Sequence, residues 1–205
     1  TWFWDVWLFI IRSYQHWRVL YARLFEWDER LELYEHGLTY LQQEWWTIIW
    51  VVTDWFKWIR WLCASIPYQY CQFHQVKTIT SYITKYPRNE INRELLAITR
   101  SLVTSTQWSF AYLLDQRHTK RKQTLQEKSY NEQWTKRRYT HKKTRAAYRS
   151  LKTNMDVLFT YLYHHMPNTT NSLDWSIKLL KTKVHIHNWL SEQRKKRLIL
   201  SLLAL

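Results

Sequence analysis

Residues 47–75 read TIIWVVTDWFKWIRWLCASIPYQYCQFHQ, and this stretch decides the fold. The β-branched run Thr47–Thr53 predicts a buried strand that ends at Asp54. Residues 55–65 follow with helical spacing, and Pro67 leads into a second strand, Tyr68–Phe73. Upstream, Leu8–Ser13 and Val19–Phe25 form a hairpin around the polar turn Tyr14–Arg18. Between hairpin and strand, Arg30–Glu44 carries Leu31, Tyr34, Leu38 and Leu41 at helical intervals. The first 75 residues therefore read β-β-α-β-α-β, an α/β pattern. Beyond His74 no strand is evident. Helices are expected over 75–85, 89–104, 107–128 and 141–162, again from about Asn171, and over Ser191–Leu203.

Composition narrows the class. The chain has 205 residues, 46% of them hydrophobic, which argues against disorder. Two cysteines, Cys63 and Cys71, are too few for a disulfide scaffold and suit a reducing, cytoplasmic compartment. No apolar run reaches the roughly 18 residues of a membrane span, and no signal peptide is read. The chain opens at Thr1 rather than Met, as a fragment would. The net charge of +15 is unevenly placed: residues 1–66 hold 6 Lys+Arg against 8 Asp+Glu, and the remainder hold 25 against 8. Such asymmetry points to a polyanionic partner, nucleic acid above all, with a solvated basic face as the plain alternative.

One anomaly remains: 15 Trp and a single glycine, Gly37. Many of the indoles stand where chains turn. Trp17 lies in the hairpin turn, Trp45 between helix and strand, Trp134 in a basic loop and Trp189 between two helices. Trp55, Trp58 and Trp61 follow Asp54. These are places that favour glycine. One reading covers both oddities: the gene uses UGA as a glycine codon, as some bacterial lineages do, and UGA has been read as Trp. Glycine at positions 4, 7, 17, 45, 50, 55, 58, 61, 134, 175 and 189 would restore a content of about 6%, close to average. Trp2, Trp27 and Trp46 sit in aromatic-compatible contexts. The other reading is a chain truly rich in Trp, lying on a membrane surface.

With glycine restored, residues 50–61 become GVVTDGFKGIRG. They resemble the second-aspartate segment of the mutator-type bacterial insertion-sequence transposases. Residues 71–75, CQFHQ, are similar to that family's C-x-x-H signature. PNTTNSLDW at 167–175 resembles the segment carrying its third acid, and KLLKTKVHIHNWLS at 178–191 resembles the basic continuation. The resemblance implies an RNase H-like catalytic core with an all-helical insertion and C-terminal helices. The core's first part would span 1–75, the basic helical insertion 76–165, and the part with the third acid 166–205. It implies Mg²⁺-dependent cleavage and strand transfer of double-stranded DNA by a homo-oligomer, in the bacterial cytoplasm at the nucleoid. Two Mg²⁺ ions, or Mn²⁺ in their place, would sit on Asp54 and Asp174, with Cys71 and His74 close to the reacting centre. The family's first Asp precedes the stretch matching Thr1–Trp4, so it would lie upstream of Thr1, and the chain as written would be inactive. Asp5 lies beyond that position.

The residues themselves leave alternatives. Asp54 at a strand end suits a metal ligand, and equally a helix N-cap. Asp174 suits a third acid or an ordinary acid in a helix's first turn. Cys71 and His74 form half a zinc site, with His185 and His187 as the nearest other pair, or a buried structural pair. Lys136, Arg137, Arg138, Lys142, Lys143, Arg145, Lys181 and Lys183 are suited to DNA phosphates. Tyr139 and Tyr148, interleaved with them, suit base stacking or core packing. An inactive remnant that only binds DNA would keep these basic residues.

Overall fold

The computed structural model describes residues 2–3, 6–26, 30–54, 58–130 and 137–203. In chain order the elements are β1 (Trp2–Phe3), β2 (Val6–Arg12), β3 (Val19–Phe25), α1 (Leu31–Gln43), β4 (Val51–Thr53), α2 (Ile59–Leu62) and β5 (Tyr68–Tyr70). Then come α3 (Gln72–Ile83), α4 (Glu90–Arg100), a 3-10 turn (Ser101–Val103), α5 (Gln107–Lys120) and α6 (Lys122–Gln126). A short ribbon, β6 (Lys128–Tyr130) and β7 (Arg137–Tyr139), precedes α7 (Lys142–Thr153), α8 (Met155–Leu158), α9 (Tyr161–His164), α10 (Asn171–Ile186) and α11 (Glu192–Leu203). The chain is mixed α/β and mostly helical. It divides into two compact units: residues 1–49, 56–66 and 170–205 form one, and residues 50–55 and 67–169 the other.

In the first unit β1, β2 and β3 make an antiparallel sheet, with Phe9 opposite Arg23 at the centre of the hairpin. Strand β2 is apolar on both faces, and its side chains alternate between two helical layers. Val6 and Leu8 pack with Leu180, Val184 and Ile199 of α10 and α11, with Ile10 alongside. Phe9 and Ile11 face the other way, onto α1. There Phe9 meets Tyr34 edge-on at 4.7 Å between ring centroids. Gly37 permits this approach: a Cβ there would stand 2.7 Å from Ile11 Cδ1 and 3.0 Å from Phe9 Cε1. Arg12 closes the even-numbered face, donating to Ser176 Oγ at 2.7 Å and to the Ser172 carbonyl at 3.2 Å.

Two indoles of this unit occupy left-handed backbone. Trp17 has φ 56° in the β2–β3 turn, and Trp45 has φ 63° just past α1. At the end of α1 the Trp46 N–H donates to the Leu41 carbonyl and the Trp45 N–H to the Gln42 carbonyl. That pair of bonds is a Schellman motif, whose left-handed residue is usually glycine because a Cβ crowds the following carbonyl. Trp7, by contrast, lies within β2 with its ring stacked on Phe25, and nothing in its setting asks for glycine.

In the second unit β4 and β5 run parallel, pairing Val51 with Tyr68 and Thr53 with Tyr70. Their core is shared with helices: Tyr70, Ile79, Ile83, Leu95, Phe110, Leu114, Leu151, Leu158 and Phe159 are all buried together. Asn89 caps α4 by accepting from the Asn92 N–H, and Thr106 and Ser109 form a reciprocal capping box on α5. Arg121 and Lys120 bind Glu94 across α4 and α5, at 2.7 and 3.2 Å.

Several expectations change. The strand expected over Thr47–Thr53 is ordered as β only from Val51, and it is half-buried, because a two-stranded sheet of three-residue strands covers little. The strand expected over Tyr68–Phe73 stops at Tyr70, and Phe73 already lies in α3. The region after His74 is not free of strands. The basic stretch read as a loop carries the β6–β7 ribbon, with Lys128 opposite Tyr139, and the helix expected over 107–128 breaks at Arg121 into α5 and α6. A short hairpin rich in Lys and Arg has no alternating apolar face, so periodicity does not reveal it. Trp4, Asp5, Trp55 and Trp134 lie outside the described residues.

Candidate active site and basic surface

Parallel strands place their carboxyl ends on one edge, where ligands of open α/β sheets bind. Here that edge carries Asp54 directly after β4 and Cys71 directly after β5. The Cys71 N–H donates to the Thr53 carbonyl at 2.8 Å, extending the ladder by one bond. Thr53 Oγ1 and the Tyr68 hydroxyl share a hydrogen bond of 2.8 Å beneath it. Helix α3 starts at Gln72, so His74 emerges in its first turn toward the end of β4. His74 Nε2 stands 3.9 Å from Asp54 Oδ2. The carboxylate is exposed, at 61% of its side-chain surface, whereas the imidazole is mostly covered. An exposed carboxylate beside a mostly covered imidazole is placed to bind a hard cation or to orient a water.

Cys71 is fully buried at the start of α3. Its place in the fold is to carry the chain from β5 into α3. The two glutamines of CQFHQ do structural work that the sequence did not announce. Gln72 Nε2 donates to the Leu158 carbonyl at 2.9 Å. Gln75 donates to Ser150 Oγ at 3.1 Å and accepts from Asn154 at 3.1 Å. Gln69 donates to the same Leu158 carbonyl and accepts from the Tyr161 N–H, both at 2.9 Å. All three glutamines are wholly buried. Amide side chains in a core persist only where donors and acceptors are matched, so this network fixes the β5–α3 corner against α7 and α8.

Asn168 belongs to the same network. It accepts from the Gln72 N–H at 2.9 Å and donates from Nδ2 to Gln72 Oε1 at 3.0 Å. The segment PNTTNSLD thus begins pinned to CQFHQ. It continues into the other unit, where Thr170 stands at the N-cap position of α10 and its backbone carbonyl accepts from the Asp174 N–H at 3.1 Å. Asp174 is half-buried in the first turn of α10, a position favourable to an anion. Among the described residues no three His, Cys, Asp or Glu side chains gather as a metal cluster. His185 and His187 lie at the exposed end of α10.

The basic residues separate into groups. Arg137, Arg138, Lys142 and Lys143 are exposed on β7 and the first turn of α7. Arg145 is engaged: Nη1 donates to the Leu125 carbonyl at 3.0 Å, and its guanidinium lies 3.9 Å from the Tyr139 ring centre. Lys181 and Lys183 are exposed on the C-terminal half of α10. Lys136 lies outside the described residues. Tyr148 packs against the core, stacks on His118 at 4.1 Å and donates to Asp115, so it takes the packing role. No described helix is long and apolar enough to cross a membrane. Compared with family models, curated proteins and solved structures, the chain matches none.

Proposed function

We propose that this chain is the catalytic region of a DDE-type DNA transposase with an RNase H-like core. The observation that carries the reading is Asp54 at the carboxyl edge of a parallel strand pair, facing the His74 of CQFHQ at 3.9 Å. The connectivity supports it: three antiparallel strands, a helix, and two parallel strands joined through a short helix, before a long helical segment. Asn168, which opens the NTTNSLD segment, is bonded to that same corner.

Asp54 and Asp174 are hard oxygen donors of the kind Mg²⁺ prefers, and Mn²⁺ accepts the same donors. When bound, the ions would neutralise charge on the attacking and leaving oxygens of a phosphodiester. His74 would hold the Asp54 carboxylate in place, Cys71 would position the strand end, and the exposed basic residues would grip DNA phosphates. A homo-oligomer would bring two element ends together.

The test is Asp54→Asn in the protein expressed from its complete gene, with end DNA and Mg²⁺. Cleavage should disappear while DNA binding persists. Retained cleavage overturns the assignment. A wild-type protein that binds DNA yet never cleaves it favours the second reading, an inactive remnant that acts only as a basic DNA-binding protein.

A further inference from the structure

The β6–β7 ribbon covers no core. Its six strand residues are all exposed, and the pairs are Lys128 with Tyr139, Ser129 with Arg138 and Tyr130 with Arg137. Residues 128–130 and 137–145 hold six Lys or Arg and no acid. The ribbon is braced at its base. The Thr140 N–H donates to the Glu127 carbonyl at 3.0 Å, and the Tyr139 ring is approached by Lys128 Nζ at 4.9 Å and the Arg145 guanidinium at 3.9 Å. Arg145 is in turn held by Leu125.

Helix α7 adds a second feature. Its first turn carries Lys142 and Lys143 with no acid, and its N-cap, His141, makes no side-chain capping bond. Lysines there oppose the helix dipole and weaken the isolated helix. The first-turn N–H groups of a helix, with these lysines, favour a phosphate there.

We propose that the β6–β7 ribbon and the first turn of α7 dock on duplex DNA, the ribbon entering the major groove. This deepens the transposase reading and rests on its claim that the partner is DNA. A two-stranded ribbon matches a groove about 12 Å wide, which also admits an α-helix. Arg137 and Arg138 on β7 reach base edges or flanking phosphates, and Lys142 and Lys143 contact the backbone.

The experiment uses the full chain carrying R137A, R138A, K142A and K143A together, with a thermal melt to confirm that these exposed changes leave the fold intact. Binding to a 30-bp duplex (about three helical turns) is measured across salt concentrations, and guanine N7 methylation is mapped on the complex. The quadruple variant should bind at least about tenfold more weakly at moderate salt. Its log–log salt slope should be shallower by about 3 to 4, near one per lost phosphate contact. Wild type should protect guanine N7 and the variant should not. Wild-type binding without N7 protection, or equal binding to an RNA duplex whose major groove is too narrow, overturns the groove placement. Unchanged variant affinity overturns the ribbon while leaving the transposase reading intact. Absence of wild-type DNA binding overturns both.

A second inference stands on separate observations. We infer that positions 17 and 45 are glycine in the natural protein. Both have left-handed φ, Trp45 is 94% exposed, and its Schellman bonds are those of a glycine-terminated helix. The tryptic peptide spanning residues 13–18 differs between the two readings only at position 17. Its mass should be that of SYQHGR, with UGA codons at both positions. The mass of SYQHWR overturns the inference.

Discussion

Gln72 and Asn168 are joined twice, backbone N–H to backbone carbonyl and side-chain amide to side-chain carbonyl, across 96 residues of sequence. Gln72 is wholly buried and also serves the Leu158 carbonyl. Its replacement by Leu leaves the half-buried Asn168 amide without its acceptor, while the Leu158 carbonyl keeps its bond from Gln69. Q72L should lower stability by about 1–3 kcal/mol, and N168A by about 1–2 kcal/mol. Gln123→Ala, on an exposed site of α6, should stay within about 0.5 kcal/mol. Urea midpoints of the three variants provide the comparison.

Trp45→Gly should stabilise the chain. It relieves left-handed strain of about 1–2 kcal/mol, offset in part by the added freedom of glycine when unfolded. A net gain near 1 kcal/mol corresponds to roughly 2–4 °C in Tm for a chain of this size. Trp17→Gly should gain less, because Arg12 sits 4.7 Å over the Trp17 ring and that contact is lost. Gly37→Leu should act in the opposite direction. It places a side chain where even a Cβ meets Ile11 and Phe9, and overpacking of this kind costs about 1–3 kcal/mol. Calorimetry on the three variants would separate the signs.

Glu94 gives a pH prediction. Hydrogen bonds from Arg121, with help from Lys120, pull its carboxyl down to about 2. A carboxyl whose pKa is lower in the folded chain contributes stability above its unfolded pKa, near 4.3. That contribution fades as pH falls from there through about 2. The pair is partly solvated, so its worth is of order 1 kcal/mol. Glu94→Gln should therefore lower the melting temperature at pH 7 and converge with wild type near pH 2.

The cysteines should be silent. Burial pushes the Cys63 thiol up to about 11, and Cys71 has no exposed surface. Iodoacetamide at pH 8 should label neither in the folded chain and both in urea, because the thiolate is the reacting form. Rapid native labelling of Cys71 would contradict its buried place at the β5–α3 corner.

Local pattern made the β2–β3 hairpin and α1 legible, since each depends on neighbours in sequence. Asp54 and His74 meet because a strand and the helix after the next strand share one sheet edge, which the β-α-β order already implies. The glutamine network was illegible for the opposite reason. Whether Gln69, Gln72 and Gln75 are surface or core depends on Leu158, Ser150 and Asn168, all far along the chain. The β6–β7 ribbon escaped because charge carries no periodicity. The glycine-like turns at 17 and 45 were visible only as misplaced indoles, and their φ values supply the physical reason.

The alternation along β2 has a cost during synthesis. Its odd face is covered by α1 within about thirty residues of translation, but Val6, Leu8 and Ile10 wait for α10 and α11. At about 5–20 residues per second, the ribosome leaves that apolar face open for on the order of ten to forty seconds. An uncovered β-sheet face on a nascent chain invites pairing with its neighbours on the same message. Slow delivery of the C-terminal helices, more than any weakness of the finished fold, is then the step at which this protein is most exposed to aggregation.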